Sequence, residues 1–206
     1  MTLDELRAAD AARDRAVAGR ALTAPDATRF AEAGAHAPTP TPYFVLEGLL
    51  GPLHLGVGDH LLDVGCGCGR VLAFLAAHCP EARATGVELD PALAAVAEGW
   101  AARYPRLAVR QGSVLDLDLA PYTHFYLFNP FDTAVLTRFL DKLEREARRP
   151  VTLVHMSDNG ETYSYLGRAG WSLVLEGSIQ GYRPPAGPEV PLFGCPQHWS
   201  RWRYTP

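Results

Sequence analysis

The sequence predicts a single α/β domain built on a mostly parallel sheet. Three observations carry that prediction. Short apolar segments recur along the chain with helical segments between them, the pattern of βαβ units. Those segments are apolar throughout rather than alternating, as in strands covered on both faces. A length of 206 residues, 48% of them hydrophobic and 20% charged, suffices for one core and argues against disorder.

The elements follow in order. Asp4 to Ala18 reads as an exposed helix and Asp26 to Ala33 as a second. Pro38, Pro40 and Pro42 interrupt the chain, because proline cannot continue a helix. Tyr43 to Leu50 reads as a helix leading into the sheet. Strands are then expected at Leu61–Val64, Ala84–Glu88, Leu107–Arg110, Phe125–Phe128 and Val151–Met156. The helices between them are Val71–His78, Pro91–Arg103 and Ala134–Arg148. Leu93, Val96, Ala97 and Trp100 share one face of the second of these. Val135, Phe139 and Leu143 form the apolar stripe of the third.

Trp171–Ile179 and His198–Tyr204 are strand-like and have no crossover helix between them, which predicts an antiparallel pair. The Pro- and Gly-rich segment from Gly181 to Pro196 reads as a loop at the ligand-binding edge, either a substrate cover or an ordinary rigid surface loop. Residues 1–42 are read as an N-terminal helical extension, either a lid or a contact surface. Residues 43–206 are read as the main domain.

Composition narrows the function. The formal net charge is -4. Such a chain lacks the basic footprint that drives binding to nucleic acid or anionic membranes, so a small-molecule or protein substrate is favoured. The first twenty residues have no apolar core of a secretory signal, and no apolar run is long enough to span a bilayer. A reduced, cytoplasmic protein is expected. The four Cys do not suggest a disulfide framework. Cys66 and Cys68 lack the paired partners of a zinc site, so no metal is expected. GxSxG, the hydrolase signature, is absent.

Four positions at the carboxyl ends of strands carry chemistry. The first is Asp63-Val64-Gly65-Cys66-Gly67-Cys68-Gly69-Arg70. Glycines in a strand-to-helix turn permit positive φ and close approach of a ligand to backbone. The new helix presents unsatisfied N–H groups. A dinucleotide fingerprint would need a third glycine where Arg70 stands. The second is Glu88, directly after the next strand and close to the ~20-residue spacing at which an acid meets a ribose. Asp90-Pro91 reads instead as a helix start. The third is Gln111-Gly112-Ser113-Val114, with Asp116 nearby. The fourth is Phe128-Asn129-Pro130-Phe131, where Asn129 offers an acceptor oxygen and Phe131 a stacking face. His155 ends the fifth strand on the same edge and is a candidate general base. Tyr163, Tyr165, Tyr182, Trp199 and Trp202 add aromatic surface.

Asp63 and the GxGxG spacing of Gly65, Gly67 and Gly69 resemble motif I of the class I S-adenosylmethionine-dependent methyltransferases. That resemblance implies a Rossmann-like, doubly wound fold covering the chain from about Tyr43 onward. It also implies S-adenosylmethionine as cofactor and S-adenosylhomocysteine as product. On this resemblance Asp63, Gly65, Cys66, Gly67 and Gly69 hold the methionine end, and Glu88 with Leu89 holds the ribose. Ser113 and Val114 line the adenine; the family often has an acid where Ser113 stands. Asn129-Pro130-Phe131 resembles the Asn-Pro-Pro-Tyr motif of adenine and glutamine N-methyltransferases with one proline missing. It places the acceptor at Asn129 and Phe131 and implies nitrogen as the methylated atom. Oxygen, with His155 as base, is the alternative. A nucleic-acid adenine methyltransferase, a nicotinamide-dependent oxidoreductase and a non-catalytic cofactor-binding protein are the competing readings.

Overall fold

The computed structural model describes residues 2–206. Five strands run parallel: β1 (His60–Val64), β2 (Arg83–Glu88), β3 (Leu107–Gln111), β4 (His124–Phe128) and β5 (Val151–Ser157). After them come β6 (Trp171–Ile179), β7 (Gly181–Tyr182), β8 (Val190–Pro191) and β9 (Gln197–Tyr204). Seven form one sheet in the order β3-β2-β1-β4-β5-β9-β6. The predicted fold class therefore holds, and so does the antiparallel pair, since β6 and β9 pair antiparallel. β9 is inserted between β5 and β6 and pairs antiparallel with both.

The helices are α1 (Leu3–Ala18), α2 (Tyr43–Leu49), α3 (Arg70–His78), α4 (Pro91–Ala101) and α5 (Thr133–Glu146). Leu61, Leu72, Phe74, Trp100, Tyr126 and Met156 belong to one buried cluster; Leu62, Phe125, Phe139, Leu143, Leu153 and Trp202 belong to another. Neighbouring strand residues such as Leu61 and Leu62 fall in different clusters because successive side chains point to opposite faces. α3 and α4 contribute to the first cluster and α5 to the second. The crossovers leave β1 in one direction and β4 in the other, so strand order reverses between β1 and β4. Open α/β sheets bind ligands outside the strand ends at such a reversal.

Four details differ from expectation. Asp26–Ala33 is no helix; it is irregular apart from a 3-10 turn at Ala31–Ala33. Its backbone bonds are local, and the outward bonds are made just beyond it, by the Gly34 carbonyl and the His36 amide. α1 is not simply exposed: Leu6, Asp10, Asp14 and Ala18, spaced one turn apart, are buried. On α5 the buried positions are Leu136, Phe139, Leu140 and Leu143, with Val135 only half-buried. The 181–196 segment is not all loop, since β7 and β8 pair within it.

Candidate functional site

The glycine turn between β1 and α3 is shaped by packing from both sides. Gly65, Gly67 and Gly69 all have positive φ, at 75°, 53° and 92°. A Cβ on Gly65 would lie 2.9 Å from Pro130, and one on Gly69 would lie 3.0 Å from Trp100. Trp100 also donates its indole N–H to the Cys68 carbonyl at 2.9 Å. The amides of Gly65 and Cys66 bond the Val87 carbonyl. The Gly67 amide donates to a Glu88 carboxylate oxygen at 2.8 Å. The loop is therefore rigid, and its first three amides bond the end of β2.

Glu88 thus has a structural task that the sequence did not reveal. One of its oxygens fixes the glycine loop; the other accepts the Asp90 amide at 2.8 Å. A carboxylate has about four lone-pair sites, so both oxygens retain capacity for hydroxyl donors. Burial raises its pKa, while the amides of Asp90 and Gly67 pull the other way. Glu88→Gln replaces one acceptor with an NH₂ group facing an N–H donor. We expect this variant to weaken S-adenosylhomocysteine binding about tenfold, or ~1.4 kcal/mol, read by calorimetric titration.

Asp63 is the electrostatic anomaly. It is 2% exposed, and its Oδ2 has no partner. Burial, and then the charge of Glu88, push its pKa well above the usual carboxylate value. A buried carboxylate without a partner is costly, and native structures rarely tolerate one without a function. Asp63 lines the cavity, where a ligand's cationic group would satisfy it.

The cavity has a volume of about 420 Å³, within the range of a single small-ligand site. Its walls include Asp63 to Cys68, Glu88, Leu89, Ser113, Val114 and Phe128 to Phe131. Thus residues picked from four separate strand ends converge on one space; Gly69 is the exception, turned to Trp100 and outside the cavity wall. Ser113 Oγ accepts the Leu115 amide at 3.2 Å and caps a short 3-10 turn, so the hydroxyl is fixed by its own backbone. Asp116 lines the cavity as well. Asn129 is left-handed, at φ 43°, a conformation that asparagine tolerates better than most residues. Its amide bonds the Met156 carbonyl at 2.8 Å, and its Nδ2 lies 3.4 Å from Asp158 Oδ1. Phe131 lines the cavity and also packs toward Phe139, ring centroids 6.1 Å apart.

His155 is not brought to this space. It is buried, outside the cavity wall, with Nδ1 2.8 Å from the Tyr165 hydroxyl. Burial lowers its pKa to about 4, so the imidazole is neutral. The general-base role expected for it has no geometric support. Tyr165 stacks on Trp202 at 4.7 Å and is likewise core, while Tyr163 is exposed. Nor does the 181–196 segment line the cavity. The cover comes from residues 22–41, which form a whole wall.

Residues 1–42 read as a lid or a contact surface; what sequence reading missed is the non-helical path of this cover and the reason for Arg70. Arg70 binds the buried Asp14 through Nε and Nη2, at 3.0 and 2.8 Å. Asp10 lies 3.6 Å away. Asp14 also accepts the Tyr43 hydroxyl and the Leu22 amide. The retrievable signal was an aspartate pair one turn apart on α1 and a lone arginine at a glycine turn.

Cys66 and Cys68 are buried and free. Burial, then Asp63, push the Cys66 thiol up, and Cys68 Sγ bonds the Thr23 carbonyl. Both act as small packing groups. Among the described residues no cluster of three His, Cys, Asp or Glu is arranged to hold a metal ion. No helix among them is long and apolar enough to cross a membrane.

Known proteins match this arrangement. Residues 61–151, from β1 through α5, match the family model for a methyltransferase domain. A stretch of 66 residues is 38% identical to the tRNA1(Val) (adenine(37)-N6)-methyltransferase of Porphyromonas gingivalis. That stretch is 31% of this chain, and the chain spans about a quarter of that relative's length (26%). Among solved structures, an RNA methyltransferase from Salinibacter ruber in complex with S-adenosyl-L-homocysteine superposes with a TM-score of 0.60. Its identity is 21%, covering 81% of this chain and 94% of that one. A precorrin-6y C5,15-methyltransferase from Geobacter metallireducens gives 0.63 at 13% identity, covering 88% and 98%. These two likenesses bear on the fold, and the matched family bears on the chemistry. The unpaired Asp63, the Glu88-braced glycine loop and the matched segment agree: residues 61–151 are similar to a methyltransferase domain, in a Rossmann-like fold shared with solved methyltransferases, one of them holding S-adenosyl-L-homocysteine.

Proposed function

We propose that this protein methylates a nitrogen atom on a small molecule or protein side chain. S-adenosylmethionine, whose sulfonium carries the transferable methyl group, would lie along the cavity. In this reading Asp63 takes the methionine ammonium, and Gly65, Cys66 and Gly67 give its carboxylate and sulfur room against the backbone, while Gly69 lets the loop pack on Trp100. Glu88 and Leu89 meet the ribose, and Ser113 and Val114 flank the adenine. Asn129 and Phe131 orient the acceptor at the end of β4.

The observation that supports nitrogen is the Asn129-Pro130-Phe131 turn. Its left-handed Asn and its proline against Gly65 bring the Asn129 side-chain amide, whose oxygen is a carbonyl acceptor, and an aromatic ring to the wall beside the glycine loop, while the Asn129 and Pro130 backbone carbonyls bond His36. Carbonyl oxygens accept from N–H donors and hold a neutral amine by its hydrogens, leaving its lone pair free to attack. No strong base is required once the amine is neutral; alignment and exclusion of water supply the rate. A buried His155 outside the cavity weighs against the oxygen alternative, which needs a base.

A test is transfer of labelled methyl from S-adenosylmethionine to paired amino and hydroxyl compounds of the same skeleton. Label on nitrogen is expected, and Asn129→Ala should lower that transfer about 10²-fold. Label on the hydroxyl compounds alone overturns the reading.

A second reading has one specific support, the stretch shared with a tRNA adenine methyltransferase. Against it stands the formal charge of -4. It predicts tRNA binding that falls linearly with log salt, read by filter binding between 50 and 200 mM salt. Under our preferred reading, binding is absent throughout.

A further inference from the structure

The wall made by residues 22–41 is fastened unevenly. Its ends are held in the interior. Arg70, locked onto Asp14, donates to the Leu22 carbonyl at 3.4 Å and the Pro40 carbonyl at 3.5 Å. One guanidinium at the start of α3 thus grips both ends of the segment. Thr41 Oγ1, buried, lies 2.9 Å from the Tyr126 hydroxyl.

The middle is held only at the two rims of the cavity. On one rim Arg29 pairs with Asp90 at 2.8 Å, and Arg29 is largely exposed. On the other, Ala35 and Phe131 form an isolated antiparallel bridge. The His36 amide donates to the Pro130 carbonyl at 3.1 Å, and the Asp132 amide to the Gly34 carbonyl at 2.8 Å. His36 Nδ1 lies 3.0 Å from the Asn129 carbonyl. Exposed ion pairs and short solvent-facing bridges are the contacts that local fluctuations break first, while a buried ion pair holds.

We propose that residues 23–41 are a gate over the cavity. It opens at the Ala35–Phe131 clasp while Arg70 keeps both ends in place. S-adenosylmethionine enters and S-adenosylhomocysteine leaves through that opening. In the closed state His36 engages the carbonyls of Asn129 and Pro130. Opening therefore also frees two backbone carbonyls beside the proposed acceptor position. The gate rests on the cofactor of the domain and not on the identity of the acceptor.

The clasp itself supplies the test. The two flanking bonds make Ala35 and Phe131 a non-hydrogen-bonded antiparallel pair, with Cα atoms about 4.5 Å apart. That separation suits a disulfide, which spans about 4.4–6.8 Å. The full chain carrying Ala35→Cys and Phe131→Cys, with Cys195→Ser to remove the exposed thiol, is measured oxidised and reduced. The probe is radiolabelled S-adenosylhomocysteine, followed by rapid filtration. Oxidation should slow both uptake and release at least tenfold, and reduction should restore both. Equal rates in the two states overturn the gate.

Amide hydrogen exchange on the unmodified protein gives a second readout. The His36 and Asp132 amides should exchange faster than the Leu22 amide, which donates to the buried Asp14, and S-adenosylhomocysteine should slow both. Exchange no faster than that of Leu22 and indifferent to the ligand overturns the gate as well. Failure of the nitrogen reading would change neither result.

Discussion

Replacing Asp63 by Asn is expected to raise the melting temperature of the cofactor-free protein while weakening S-adenosylmethionine binding by tenfold to a hundredfold. Both effects come from the same buried, unpaired carboxylate. Its pKa in the folded chain is raised by burial and by Glu88. A group that holds its proton more tightly when folded favours folding fully below its unfolded pKa, about 3.9. That contribution is lost as pH rises through the folded value. At pH 7–8 the wild-type protein therefore carries a penalty that Asn does not. Relieving one kcal/mol would raise the melting temperature by about 2–4 °C in a chain of this size. The advantage should shrink as pH falls toward 4, which thermal melts across pH will read. Loss of a charge-assisted bond to the ligand ammonium costs about 1.5–3 kcal/mol, the stated loss of affinity. A variant less stable at neutral pH, or one that binds the cofactor normally, would remove Asp63 from the site.

Arg70→Ala should be the most destabilising single change on this face. Asp14 is fully buried and Asp10 nearly so, and Arg70 is the cation that faces both. Removing one partner of a buried pair leaves a charge uncompensated, at a cost of about 3–5 kcal/mol. The change also releases the Leu22 and Pro40 carbonyls, so both anchors of residues 22–41 loosen. Arg70→Lys should recover little, because one ammonium cannot reproduce the bidentate grip on Asp14. Denaturant melts check the first claim, and proteolysis between Thr23 and Thr41 checks the second. A loss below about 1 kcal/mol would mean that the pair is screened by solvent.

The parallel sheet was legible because continuous apolar runs and proline or glycine punctuation give strong local signals. Each strand from β1 to β5 begins and ends within about a residue of its reading. The cavity was legible because its contributors, such as Asp63, Glu88 and Asn129, sit at strand ends, where topology alone brings them together. The path of the cover was not. Asp26–Ala33 has a composition that suits a helix, yet its neighbours bond across the cavity to Asn129, Pro130 and Asp132. Tertiary pairing overrode propensity there. The inward stripe of α1 was hidden for a related reason: aspartates read as solvent-facing unless their cation is known, and Arg70 lies 56 residues beyond Asp14. His155 sits at the predicted strand end, but which face a residue takes depends on register, and register sent it toward Tyr165.

The most direct test of the account is calorimetric titration of S-adenosylhomocysteine, S-adenosylmethionine and NAD into the purified protein. The account predicts that both sulfur nucleosides bind one per chain, that NAD does not bind, and that Asp63→Asn weakens both at least tenfold. Binding of NAD with no binding of the sulfur nucleosides would contradict it and return the glycine loop to a dinucleotide site.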